Sequence, residues 1–232
     1  MEIANQMRLI SGAFLDVFYP KICQICQIDL HLNERQLCLS CNYDLPYIGQ
    51  NKNDLVKLEQ LFWGRVKVER VFSLLNYQRG NTAQHILHQL KYHKKKKLGF
   101  HFGHVLGGII DSDKKIDAIL PVPLHPKKKR LRGFNQSYEI ANGIAQSLHI
   151  PVTEKYLKRV AHNASQTKFT KYERWDNVRR IFSVNKGNEL VNKHVLLVDD
   201  VLTTGATLEA CVLELLQIKN CSVSIATLAA RI

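Results

Sequence analysis

The sequence predicts an α/β protein: a doubly wound, mostly parallel sheet, preceded by a small N-terminal unit held by four cysteines. Three observations predict it. Apolar, β-branched runs alternate with stretches of helical period through the last half of the chain. The run HVLLVDD (194–200) passes from wholly apolar to doubly acidic, as a strand buried on both faces does where it leaves a sheet. CQIC (23–26) and CLSC (38–41) form two Cys-x2-Cys pairs eleven residues apart.

The elements follow in order. Ile3, Met7, Ile10, Phe14 and Phe18 recur at helical spacing, and Pro20 ends that helix. The stretch has no basic leader, and Glu2, Arg8 and Asp16 interrupt it. Neither a signal peptide nor a membrane span is expected, and a cytoplasmic location is. Residues 1–48 hold this helix and the cysteine pairs, 49–112 form a connector or hood region, and 113–232 form the core. In the connector, VKVERVFSLLNYQ (66–78) reads as strand. Asn81 caps a helix with Ile86, Leu87 and Leu90 inward, and a second helix follows the lysine run 94–97. In the core, 115–124 is a strand and 135–150 a helix facing inward through Ile140, Ile144 and Leu148. A strand spans 152–160 and a basic, aliphatic-poor loop 161–180. Strand 194–200, helix 205–218 and strand 221–230 complete it. Ligands of such sheets bind at the C-terminal ends of the strands.

Composition points the same way. Against 20 Asp and Glu stand 33 Lys and Arg, a net charge of +13, which favours phosphorylated partners. With 45% hydrophobic and 23% charged residues, the 232-residue chain can bury one real core.

The stretch HVLLVDDVLTTGATLEAC (194–211) carries the chemistry. Gly205 permits a tight turn, and the helix after it starts with unpaired amides that suit a phosphate. Thr203, Thr204 and Thr207 add hydroxyl donors. Carboxylates repel phosphate, so Asp199 and Asp200 call for hydroxyl or cationic partners: a ribose diol, or a Mg²⁺ ion bridging ligand oxygens. No Gly-Lys-Ser/Thr follows and the spaced glycines of a dinucleotide loop are missing, which excludes both of those motifs. PVPLHPKKKRLRGFNQS (121–137) places Lys127, Lys128, Lys129, Arg130 and Arg132 after a proline-stiffened turn that is expected to be non-helical. Cations there favour a leaving group that gathers negative charge as it departs.

VLLVDDVLTTGAT resembles the phosphoribosyl-pyrophosphate (PRPP) motif of type I phosphoribosyltransferases. The resemblance implies that Asp199 and Asp200 hold the ribose hydroxyls. It implies that the stretch Val201, Leu202, Thr203, Thr204, Gly205, Ala206 and Thr207 holds the 5′-phosphate. Many purine-salvage relatives carry an aspartate where Thr203 stands, and a threonine cannot serve as a general base at neutral pH, which argues against hypoxanthine or guanine salvage. PVPLHP followed by RLRGFNQ (130–136), with Gln166, Thr167, Arg174, Asn177 and Phe182 further on, is similar to the ComF family of competence-associated phosphoribosyltransferase-like proteins. That likeness implies a pyrophosphate site at Pro123, Leu124 and His125 with Arg132 as a catalytic cation. It implies a lid over the site carrying Gln166, Thr167, Arg174 and Asn177, Mg²⁺ bound with PRPP, and a role in DNA uptake.

Cys23, Cys26, Cys38 and Cys41 in paired knuckles give tetrahedral, closed zinc ligation, hence a structural zinc ribbon. Cys211 and Cys221 read as packing residues, and the ten histidines as non-ligands. Two functions fit. One is an enzyme that transfers phosphoribosyl from PRPP to an unidentified nitrogenous acceptor. The other is a non-catalytic PRPP-sensing module that binds single-stranded DNA, with cations at 94–97, 127–132 and 174–180 and with Tyr92, Phe134, Tyr172 and Trp175 for base stacking. The DNA-uptake machinery is the expected partner.

Overall fold

The computed structural model describes residues 21–49, 52–160 and 181–232. The expected N-terminal helix and the lid loop, with Gln166, Thr167, Tyr172, Arg174, Trp175 and Asn177, lie outside the described residues. The chain divides into two compact units, Met1–Leu45 and Pro46–Ile232.

In the larger unit, β1 (Val71–Asn76), β2 (Ala118–Pro121), β5 (His194–Leu202) and β6 (Ser222–Ala230) form one sheet in the order β1-β6-β5-β2, every pairing parallel. The stretch expected in the connector thus supplies an edge strand of the core. β5 pairs continuously with β6 and is buried on both faces from His194 to Val198, which is why its sequence is unbroken apolar rather than alternating. The expected strand 152–160 is not continuous. Val152 makes a single parallel bridge to Ile119, and β3 (Leu157–Arg159) leaves the sheet to pair antiparallel with β4 (Phe182–Val184), a strand not expected from the sequence. Glu154 and Lys155, both exposed, break the apolar run between them.

Helices cover both faces, as a doubly wound sheet requires. On one face Val71, Leu120, Val195, Leu197, Val223 and Ile225 pack against Leu58 and Phe62, in and just after α2 (Lys52–Gln60), and against Leu208, Val212 and Leu215 of α7 (Ala206–Leu215). On the other lie α4 (Lys96–Ile109) and α6 (Gln136–Leu148), with α3 (Thr82–Tyr92) leading into α4. Asn81 caps α3 by accepting from the Gln84 amide at 3.1 Å, and Ala83, Ile86, Leu87 and Leu90 are buried. α4 and α6 meet backbone to backbone. A Cβ on Gly103 would lie 2.1 Å from the Ile140 carbonyl oxygen, and one on Gly143 2.1 Å from that of Phe100. Each glycine costs about 1 kcal/mol of helix propensity, which the close packing of the two helices offsets.

The basic segment is helical where a loop was expected: α5 (Pro126–Arg132). Pro126 occupies the first helical position, where its missing N–H is no loss, and the preceding His125 accepts from the Lys127 amide through Nδ1 at 3.1 Å. Gly133, at φ 80°, stops the helix after two turns. Cys211 and Cys221 are buried, as expected of packing residues.

Candidate phosphoribosyl site and cysteine cluster

The acid pair lies within β5, which continues two residues beyond it to Leu202. Asp199 Oδ1 accepts from Ser137 Oγ at 2.9 Å and from the Asp200 amide at 2.8 Å. Asp200 Oδ2 meets Lys91 Nζ at 3.2 Å. Burial, and then the neighbouring Asp200 carboxylate, push Asp199 up to about 7. Asp199 is therefore only partly ionised near neutrality, Lys91 sits against its neighbour, and the remaining carboxylate oxygens are left to accept from a diol.

The proline turn is tied to this pair through side chains. Asn135 Nδ2 donates to the Val122 carbonyl at 2.9 Å, and its Oδ1 accepts from the Ser137 amide at 3.2 Å. Ser137 then donates to Asp199. One polar chain thus links the turn before Pro123, Leu124 and His125 to the acids. These three turn residues are half-buried, and with His125 Nδ1 committed to the α5 cap, Nε2 is the ring atom left for a ligand. Arg132 makes no ion pair with the acids among the described residues. It donates to Gln136 Oε1 at 2.9 Å and lies 5.9 Å over the Tyr92 ring. Gln136 is 1% exposed, and its Nε2 is buried with no acceptor among the described residues.

After Leu202 the chain turns outward. Thr203, Thr204, Ala206 and Thr207 are exposed, while Gly205 is buried at φ 76° as the N-cap of α7, without a side-chain cap. The Ala206 amide reaches Thr204 Oγ1 at 3.5 Å, and the next amides of α7, those of Thr207 and Leu208, are left for an anion. Two residues outside the motif hold this loop. Phe62 packs beneath Gly205, where a Cβ would stand 3.2 Å from its Cε1. Arg65 donates through Nη1 to the carbonyls of Thr204 at 2.8 Å and Leu61 at 2.9 Å, and pairs through Nη2 with Glu209.

Sequence reasoning named the acids, the loop and the turn. It missed Lys91, Ser137, Asn135 and Arg65 as site residues. Asn135 and Ser137 fell inside a segment already singled out, whereas only tertiary packing brings Lys91 and Arg65 to their partners.

In the small unit, the ligand atoms of Cys23, Cys26, Cys38 and Cys41 all lie within 4.8 Å of one another, and Cys26 and Cys38 Sγ are 3.6 Å apart. Four sulfurs at about 2.3 Å from a tetrahedral ion stand roughly 3.8 Å apart, so the cluster fits a zinc ion. The knuckle folds locally: the Cys23 amide donates to the Ile28 carbonyl at 2.8 Å, and Cys38, the N-cap of α1 (Leu39–Tyr43), accepts through Sγ from the Cys41 amide at 3.5 Å. Glu34 accepts from the amides of His31 and Leu39 at 2.7 and 2.6 Å, which hold its carboxyl below the usual range. Burial raises the Cys23 thiol, but amides of Cys26, Cys38 and Ile25 outweigh it and bring it to about 6. Burial and the three other sulfurs push Cys41 up. Clustered thiols that cannot all ionise alone are a ligand set that a dication completes.

Residues 88–232 match the phosphoribosyl transferase domain family. Competence protein F of Haemophilus influenzae is 27% identical over 206 residues, covering 82% of this chain and 89% of that protein. Competence protein ComFC of Bacillus subtilis is 33% identical over 99 residues, 41% of this chain and 38% of that one. The DNA utilization protein YhgH of Escherichia coli K12 is 26% identical over 128 residues, 53% of this chain and 56% of that one. Among solved structures, an allosteric regulatory enzyme of purine biosynthesis aligns with a TM-score of 0.44 and 19% identity, over 60% of this chain and 30% of that one. No helix among the described residues is long and apolar enough to cross a membrane. With the family profile spanning more than half the chain and the acid pair, threonine loop and proline turn assembled at one sheet edge, the chain belongs to the phosphoribosyl transferase domain family, as a ComF-type member with an N-terminal cysteine cluster.

Proposed function

We propose that this protein binds PRPP together with Mg²⁺ and transfers its phosphoribosyl group to a nitrogenous acceptor, in the cytoplasm, as part of the handling of incoming DNA. The observation that carries the reading is the hydrogen-bonded chain from the Val122 carbonyl through Asn135 and Ser137 to Asp199. It fixes the turn and the acid pair relative to each other, as a ligand with pyrophosphate at one end and a diol at the other requires. Asp199 and Asp200 would orient the ribose. The exposed 203–207 loop and the first amides of α7 would grip the 5′-phosphate. His125 Nε2, the lysines of α5 and Arg132 would receive the pyrophosphate, and Gln166, Thr167, Arg174 and Asn177 would close over it. Mg²⁺, bound with the ligand, would offset the pyrophosphate charge that otherwise opposes the carboxylates. The four cysteines would hold a structural zinc ion. Calorimetry with PRPP and Mg²⁺ on wild type and on Asp199→Asn/Asp200→Asn tests the site. Binding to wild type and its loss in the variant is expected, and equal binding by both overturns the assignment.

A second reading, single-stranded DNA binding, is favoured by the convergence of two basic runs distant in sequence. Lys96 Nζ lies 5.5 Å over the Phe134 ring, and Arg132 lies 5.9 Å over that of Tyr92, so the 94–97 and 127–132 runs share one surface with an exposed tyrosine. The competence and DNA-utilization relatives agree with it. A salt titration with a labelled oligonucleotide decides: affinity should fall steeply with ionic strength, and no binding at low salt ends this reading.

A further inference from the structure

At the C-terminal ends of β1 and β6 lies a cavity of about 740 Å³ lined by Tyr77, Gln78, Arg79, Gln84, Arg231 and Ile232. Backbone bonds stitch its floor to the loop. Tyr77 donates to the Ala230 carbonyl at 2.7 Å, and Arg231 donates to that of Leu202, the residue before Thr203, at 2.9 Å. Arg231 is therefore one strand away from the phosphate loop. Its guanidinium and that of Arg79 have no ion-pair partner among the described residues. Gln84 Oε1 accepts from the Gly80 amide at 2.6 Å, which fixes the 78–81 turn and leaves the Gln84 NH₂ as a donor. Like-charged side chains that face one cavity unpaired are a standing demand for an anion.

Strand order says what kind of anion. β5 carries the acids, β2 with its proline turn lies on one side of it, and β6 and β1 lie on the other. A nucleophile displacing pyrophosphate must approach the anomeric carbon from the side away from the departing group. If pyrophosphate sits over the β2 turn, the acceptor enters over β6 and β1, where the cavity is. α3 spans the interval, from Gln84 at the cavity to Lys91 on Asp200. Seven residues of helix place the two about 10 Å apart.

We propose that this cavity is the acceptor subsite, and that the acceptor is an anionic nitrogen compound, its carboxylate or phosphate held by Arg79 and Arg231 and its ring laid against Tyr77. The proposal rests on the PRPP reading above. In the reaction the acceptor nitrogen forms a bond to C1 of the ribose. The C1–O bond to pyrophosphate breaks with its electron pair leaving on pyrophosphate, and the proton on nitrogen passes to water.

Two matched probe pairs test it by calorimetry, with and without PRPP and Mg²⁺: 4-aminobenzoate against aniline for a carboxylate, and AMP against adenosine for a phosphate. At least one anionic member should bind wild type ten-fold or more tighter than its neutral counterpart, and Arg79→Gln/Arg231→Gln should remove that advantage without changing PRPP affinity or melting temperature. The pair that shows the difference identifies the anion. Neutral members binding as well as anionic ones, no anionic probe binding, or an unchanged double variant overturns the proposal. If PRPP itself fails to bind, the phosphoribosyl reading falls, while the titrations without PRPP still decide whether the cavity takes an anion, because an advantage that arises at the 203–207 loop survives in Arg79→Gln/Arg231→Gln and one that arises in the cavity does not.

Discussion

Arg65 offers a decisive test because it touches the phosphate loop without touching any expected ligand. Its guanidinium donates to the carbonyls of Thr204 and Leu61 and pairs with Glu209 in the first turn of α7. In Arg65→Met all three interactions go. The ion pair is partly solvated, with the two side chains 35% and 27% exposed, and contributes on the order of 0.5 kcal/mol. The charge-assisted bond to the Thr204 carbonyl contributes roughly 1.5 kcal/mol. About 2 kcal/mol of support for the loop conformation is thus lost, which corresponds to a PRPP affinity weakened by up to roughly thirty-fold. The freed Glu209 carboxylate, near the amides that would meet the 5′-phosphate, acts in the same direction. Calorimetry with ribose 5-phosphate and with PRPP and Mg²⁺ reads the effect, and a thermal melt shows whether the fold survives. Arg65→Lys keeps the charge but not the fork and should fall between. Arg65→Met/Glu209→Gln should recover part of the loss. A folded Arg65→Met that binds both ligands within two-fold of wild type would refute the bracing role.

Three further outcomes follow from packing and charge. Asp199 ionises near 3.8 ordinarily and near 7 in the fold, so the folded state holds the extra proton between those values, and stability falls as pH rises from about 4 to about 7. Asp199→Asn should therefore gain on wild type in urea unfolding across that window, by at most about 4 kcal/mol before solvent screening, with no gain at pH 3. Gly143→Ala drives a methyl into the Phe100 carbonyl, which α4 cannot move aside, and should cost 3 kcal/mol or more, in the manner of overpacking (roughly 1–3 kcal/mol where side chains give), with the melting temperature as readout. Metal analysis should find about one zinc per chain. Chelation, or Cys41→Ser, should expose residues 21–45 to proteolysis while the melt of the larger unit stays in place.

What could be read from the sequence was whatever depends on local order. The β5 strand, the acid pair and the glycine turn occupy twelve consecutive residues, 194–205, and their chemistry follows from which side chains adjoin which. The cysteine knuckles are legible for the same reason. Where the expectation failed, a local rule had a competitor. Proline is expected to forbid helix in the basic segment after 121, yet at the first helical position it favours one, and His125 supplies the cap. The 152–160 segment has strand-forming residues at both ends, but its partner β4 lies more than twenty residues on, and no periodicity reveals a pairing. Lys91 and Arg65 escaped because nothing distinguishes them from the other surface cations of a basic chain. Lys91 becomes a partner of Asp200 only because the buried Leu90 fixes the rotation of α3, and Arg65 meets Thr204 only because Phe62 anchors its turn beneath Gly205. The apolar residue next to a charge, rather than the charge itself, sets where that charge acts. In a chain with 33 lysines and arginines, neighbours of this kind separate the few cations held at the ligand from those that only give the surface its sign.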